Sequence, residues 1–117
     1  MDPLIDHAQL MESLRAIDDD AASALKMALG FYLEDAPQLV GAIAQAAAQT
    51  DFEQLRFAAH SLKSSSATLG AKRLAKLCQQ MELKARSGDS SNLAELNQQI
   101  QATYQATLAL LQSPGLL

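Results

Sequence analysis

The chain holds two histidines, His7 and His60, and only the second stands among residue types that suit chemistry. Around it the sequence reads Arg56-Phe57-Ala58-Ala59-His60-Ser61-Leu62-Lys63-Ser64-Ser65-Ser66-Ala67-Thr68-Leu69-Gly70. Wound as a helix at about 100° per residue, this stretch puts Leu55, Ala58, Leu62 and Leu69 on one side and His60 on the other. Arg56, Lys63, Ser64 and Ala67 share the histidine's face. An imidazole keeps an unprotonated nitrogen available around neutrality and can act as a nucleophile. A phosphoryl group delivered to it carries negative charge on its oxygens, so a nearby cation stabilises both transfer and product. Lys63 lies one turn on and Arg56 one turn back. Ser64 and Ala67 add little bulk, which matters because a protein delivering phosphate in line must come close. Phe57, at the edge of this face, and Ala67 suit a docking surface. A metal site is not indicated, because His60 has no second His, Cys or carboxylate four residues away on its helix.

The rest of the chain reads as helices that hold this face in place. Pro3 and Asp6 start a short amphipathic segment within 1–17, in which Ile5, Leu10, Leu14 and Ile17 suit a lid across a bundle and His7 is a surface residue. Asp18-Asp19-Asp20 offers cap oxygens and negative charge to the amino end of the next helix, rather than a metal site. From 21 to 48 the apolar positions Leu25, Leu29, Tyr32, Ala36, Leu39 and Ile43 recur at three and four, the seam of a bundle helix. Pro37 interrupts this segment but not its phase, so one kinked helix is expected, its apolar face widened by Phe31, Leu33 and Val40. Thr50-Asp51 opens the helix bearing His60, with Gln54 completing a capping-box variant, and Gly70 closes it. Residues 72–87 form another helix with Leu74, Leu77, Cys78, Met81 and Ala85 inward. After Gly88-Asp89, one of Ser90, Ser91 or Asn92 caps the last, whose seam is Leu93, Leu96, Ile100, Thr103, Thr107 and Leu111. The links are short, which makes consecutive helices antiparallel neighbours. The expected fold is all-α: an antiparallel up-and-down four-helix bundle with a short additional N-terminal helix. It forms one domain over 1–117, with a core from about 5 to 112.

Composition agrees with a helical globule. Of the 117 residues 49% are hydrophobic and 4% aromatic, with no Trp, and abundant alanine and leucine favour helix. The net charge of −4 argues against a general nucleic-acid binder. Positive charge nevertheless gathers at Arg56, Lys63, Lys72, Arg73, Lys76, Lys84 and Arg86, far from the acidic Asp18, Asp19, Asp20, Glu34 and Asp35. Cys78 is the only cysteine and reads as a small core residue. No signal peptide or membrane span is visible, and a cytoplasmic location without direct membrane contact is expected.

The segment Ala59-His60-Ser61-Leu62-Lys63-Ser64, followed by Leu69-Gly70 and Leu74, resembles the signature of histidine-containing phosphotransfer (HPt) domains. That pattern is a histidine, a hydrophobic residue two on, a lysine three on, a glycine four on, then a hydrophobic-glycine pair and a leucine. A weaker likeness extends over almost the whole chain, Phe31 to Pro37 included. The resemblance implies a phosphocarrier without autokinase activity, monomeric, which takes a phosphoryl group from the aspartate of one receiver domain and passes it to another. It makes His60 the phosphoacceptor and Lys63 its charge partner. Its partners are the receiver domains of response regulators and of a hybrid sensor histidine kinase, of which the chain is either a separate carrier or a module. No cofactor is implied here, since Mg²⁺ belongs to the partner receiver. Ser64 departs from the family's glycine. The family often has a polar side chain, commonly glutamine, near the imidazole, and the matching position is Glu82, with Gln79 one turn earlier. A carboxylate there orients the ring but repels bound phosphate.

Two other readings compete. A sensor-kinase dimerisation helix usually has an acidic residue directly after its histidine, and here Ser61 follows, with no Gly-rich nucleotide segment in the chain. A helical adaptor without phosphotransfer would use His60 only as part of a docking surface.

Overall fold

Among the described residues, three of the five helices begin where an aspartate offers its carboxylate to free amide groups. Asp6 accepts from the Gln9 amide at 3.1 Å, Asp20 from Ala22 at 3.2 Å and Asp51 from Gln54 at 3.2 Å. In the computed structural model, which describes residues 3–117, the helices are α1 (His7–Ile17), α2 (Ala21–Gln49), α3 (Phe52–Thr68), α4 (Lys72–Ser87) and α5 (Leu93–Leu111). Met1 and Asp2, included in the single domain read from sequence, lie outside the described residues. Thr50 closes α2 in the left-handed region rather than opening α3. Asn92 stands at the start of α5 without giving a side-chain cap bond. Asp89 organises that turn instead, accepting from the Ser91 amide and hydroxyl and from Lys84. The Ser91 hydroxyl, with the amide and Lys84 behind it, holds the Asp89 carboxyl at about 2.

Helices α2, α3, α4 and α5 pack in a ring, each against the next and α5 back on α2, while α1 lies on α2 and α3. With links this short, the ring is an up-and-down four-helix bundle. The longest helix, α2, has 29 residues and runs unbroken through Pro37. At 1.5 Å per residue it is about 43 Å long, the long dimension of the molecule. It outlasts the 17-residue α3, and α1 packs against both, its start hydrogen-bonded to Gly70 just past the end of α3. No helix among the described residues is long and apolar enough to cross a membrane.

The buried set runs from Ile5 to Leu111. Leu55, Ala58, Leu62 and Leu69 of the sequence-read stripe are all buried, and Ala59 joins them. Each buried leucine contributes about 1.5–3 kcal/mol relative to exposure. Elsewhere the seams shift. In α2 the core residues are Ala24, Tyr32, Ala36, Val40, Ile43 and Ala46, with Leu25, Leu29 and Leu39 only partly covered. Small alanines thus take fully buried positions, and the larger leucines lie at the edge of the core. In α5, Tyr104 is buried where Thr103 was expected. Leu77 is half-buried, and Ile17 is exposed rather than part of the lid.

Tyr32 joins α2 to α3 by a buried hydrogen bond between its hydroxyl and that of Ser66, 2.9 Å long. Its ring lies 6.2 Å from that of Tyr104, and burial pushes the Tyr32 phenol up. Changing Tyr32 to phenylalanine leaves the Ser66 hydroxyl buried without this partner, at an expected cost of about 1–2 kcal/mol. Adding Ser66→Ala should recover part of that loss. Urea unfolding of the three variants measures both effects.

Candidate functional site

His60 sits mid-way along α3, on the side its leucines turn away from the core. Its side chain is 55% exposed. The ring is fixed from α4: His60 Nδ1 lies 3.0 Å from Glu82 Oε2. An ionised carboxylate only accepts, so Nδ1 carries the proton and donates it. Nε2 then keeps its lone pair.

Glu82 is the centre of the arrangement. Its side chain is 4% exposed, and it takes three donors. Besides the histidine, Lys63 Nζ donates to Oε1 at 2.7 Å and Arg86 Nη2 to Oε2 at 2.8 Å. The Lys63 hydrogen bond is the main reason its carboxyl lies below the ordinary value. Burial opposes that shift, and the His60 bond and the Lys63 charge add to it. A carboxylate depressed in the folded state favours folding above its unfolded pKa, and this contribution is lost as the pH falls through the folded value. The stability advantage of the native protein over a Glu82→Gln variant should therefore be constant near neutrality and shrink once the pH drops below about 4.5, the ordinary value. Thermal unfolding of both proteins across acid pH checks this.

The structure brings only some of the expected residues together. Lys63 reaches Glu82 rather than the ring, 29% exposed and one turn from His60. Ser64 is exposed beside the histidine, its carbonyl accepting from the Thr68 hydroxyl at 3.1 Å. Ala67 is exposed on the same face. Arg56 is exposed one turn back and is not drawn into the Glu82 cluster. It borders a shallow hollow with Asp51, Glu53 and Phe57. Gln79 is exposed and not bonded to the histidine; it lines a groove of about 270 Å³ with Lys63, Ala67, Lys72 and Lys76. Arg86 was not among the sequence-derived site residues. Its signal was the four-residue step from Glu82, a standard helical ion-pair spacing.

The two flanks of α3 differ. Lys63 marks the flank toward α4, with its cations. On the opposite flank Phe57 is 66% exposed, and Thr68 borders a second groove with Phe31, Ile17 and Ala28 of α1 and α2. Phe31 is 64% exposed. Cys78 lies buried beneath, its thiol pushed up to about 12 by burial, and is chemically quiet.

A family model described as the Hpt domain matches residues 27–109 of the chain. The chain belongs to the Hpt domain family. As an Hpt domain it is a carrier in histidine phosphotransfer within phosphorelays, with receiver domains as its partners. This Hpt domain is 29% identical over 107 residues to histidine-containing phosphotransfer protein 2 of Arabidopsis thaliana, covering 89% of this chain and 69% of that one. It is 32% identical over 89 residues to multistep phosphorelay regulator 1 of Schizosaccharomyces pombe, which covers 73% of this chain but only 30% of that protein. The crystal structure of histidine-containing phosphotransfer protein B (HptB) from Pseudomonas aeruginosa PAO1 superposes with a TM-score of 0.83, covering 96% of this chain and 94% of that one. At 24% identity that likeness speaks for the fold.

Proposed function

We propose that His60 is the phosphoacceptor of this Hpt domain, taking a phosphoryl group from a receiver-domain aspartate and passing it to the aspartate of another receiver. The observation that carries this reading is the exposed imidazole of His60, whose Nδ1 is committed to Glu82 while Nε2 is left open. In the transfer, the Nε2 lone pair forms the new N–P bond. The P–O bond to the receiver's aspartate breaks, and its electron pair leaves with the carboxylate. Nδ1 keeps its proton, so the ring takes on positive charge facing Glu82 while the phosphoryl oxygens take on negative charge within reach of Lys63. The ring's charge meets Glu82 in place, and the oxygens meet Lys63 as it turns from Glu82, which lowers the barrier in both directions.

The incoming receiver meets the exposed face of α3, with Phe57 and Phe31 as an apolar edge and Ser64 and Ala67 as the clearance over the ring. Mg²⁺ acts on the receiver, and this chain needs no cofactor and has no autokinase activity. It works as a monomer in the cytoplasm, and a hybrid sensor kinase supplies one of its receiver partners. Incubation with a receiver domain charged by acetyl phosphate tests the reading. Label should move to this chain and be stable to alkali but lost in acid. Label acquired from ATP alone, without a receiver, would overturn it in favour of a kinase.

A further inference from the structure

Among the described residues, Lys63 is the one cation within one turn of His60 on α3 that is drawn into the site, yet it is already bound to Glu82 Oε1. When it turns to a phosphoryl group on Nε2, Glu82 loses its shortest partner. A carboxylate only 4% exposed then depends on the phosphorylated ring and one other cation for its counter-charge, and the loss of either is strongly unfavourable. Arg86 answers this. It stands one turn after Glu82 on α4, holds Oε2 at 2.8 Å, and is permanently charged. Its own side chain is 56% exposed, so it is free to follow the carboxylate as the cluster rearranges. With both cations on one carboxylate, the resting cluster holds one positive charge in surplus, and that surplus is what Lys63 can lend.

We propose that Arg86 is a positioning residue for phosphotransfer, retaining Glu82 and supplying its counter-charge when Lys63 leaves the carboxylate for the phosphoryl oxygens on His60. This rests on His60 being the phosphoacceptor. Without Arg86, Lys63 must serve two anions at once. Arg86 thereby makes a carboxylate workable at a position where the family commonly has glutamine.

The test uses Arg86→Gln, Arg86→Lys, Glu82→Gln and the double glutamine variant in the full chain. The distribution of phosphoryl groups between His60 and a receiver charged by acetyl phosphate is measured for each. Arg86→Gln should shift the distribution away from His60 by roughly tenfold, typical of residues sharing one ion-pair network, and Arg86→Lys should restore most of it. In the Glu82→Gln background, Arg86→Gln should have no effect, because the charge it answers is gone. An unchanged distribution in Arg86→Gln overturns the proposal. So does a shift of equal size in both backgrounds, which would mean that Arg86 acts on the phosphate or the receiver directly. Nitrogen-15 spectra of the unphosphorylated His60 ring separate this from the functional reading. Even if the native chain accepts no phosphate, Arg86→Gln should move the Nδ1 signal when Glu82 is present and leave it unmoved when Glu82 is glutamine. An Nδ1 signal indifferent to Arg86 in the presence of Glu82 overturns the coupling.

Discussion

His60→Gln is expected to reduce phosphoryl uptake from a charged receiver to background while leaving the bundle folded and the receiver able to dock. The imidazole lies on the side of α3 opposite Leu62 and Leu69, more than half exposed, and contributes nothing to the core. Even if the bond to Glu82 is lost, the cost should stay at about 1 kcal/mol, too little to unfold the bundle. Glutamine keeps a polar group near Glu82 and Lys63 but has no nucleophilic lone pair to open a P–O bond. Transfer assays, thermal unfolding and receiver titration on the same variant check the three parts of this expectation. Unchanged relay output in His60→Gln would leave the adaptor reading standing in its place.

The largest expected stability effect of a single methyl group is at Gly70. Its φ of +70° is one that residues with a side chain adopt at a cost of about 1–2 kcal/mol. A β-carbon there would also lie 2.6 Å from the Asp6 carbonyl oxygen and 3.0 Å from the Leu10 amide nitrogen. Both are backbone atoms of the segment that starts α1, and the Asp6 amide is hydrogen-bonded to the Gly70 carbonyl at 2.7 Å. Gly70→Ala must therefore push α1 off its seat and loosen Leu10 and Leu14, for a total of roughly 2–4 kcal/mol. Gly88 is the control. Its φ is +68°, but nothing lies within 4 Å of an added β-carbon, so Gly88→Ala should cost only about 1 kcal/mol. Urea unfolding of the two variants measures the difference, and amide exchange should show α1 opening first in Gly70→Ala. Phosphoryl uptake below the melting range should survive, because the contacts of His60 come from α4 rather than α1.

Much of this was legible in the sequence because helices obey a period. The stripe of Leu55, Ala58 and Leu62 put His60 outward, and the structure has it there. The cap at Asp51 and the stop at Gly70 bounded the same helix. Leu25, Leu29 and Leu39 show where periodicity runs out. In an alanine-rich helix several faces are apolar at once, and which one is innermost depends on how closely the neighbours approach. Tyr104 was hidden for a related reason: it packs beside Tyr32 across the bundle, a contact that spacing within α5 does not state. The site divides along the same line. His60, Lys63 and Ser64 lie within one turn of a single helix. Glu82 was reached only through the family pattern. The grouping of Arg86 with His60 depends on how α3 and α4 are rotated against each other, which no spacing within either helix states.

On α3, the side chains that hold the bundle and those proposed to meet a receiver are separate sets. Leu55, Ala58, Ala59, Leu62, Ser66 and Leu69 are buried, while Phe57, His60, Ser64 and Ala67 are exposed. On that proposed reading, a change of partner is written at Phe57, Ser64 or Ala67 without drawing on the stability of the fold. After duplication of such a chain, one copy can drift toward a new receiver while remaining as well folded as its sibling. Insulation of this kind lets signalling routes multiply from one scaffold without cross-talk being fixed in by the demands of folding.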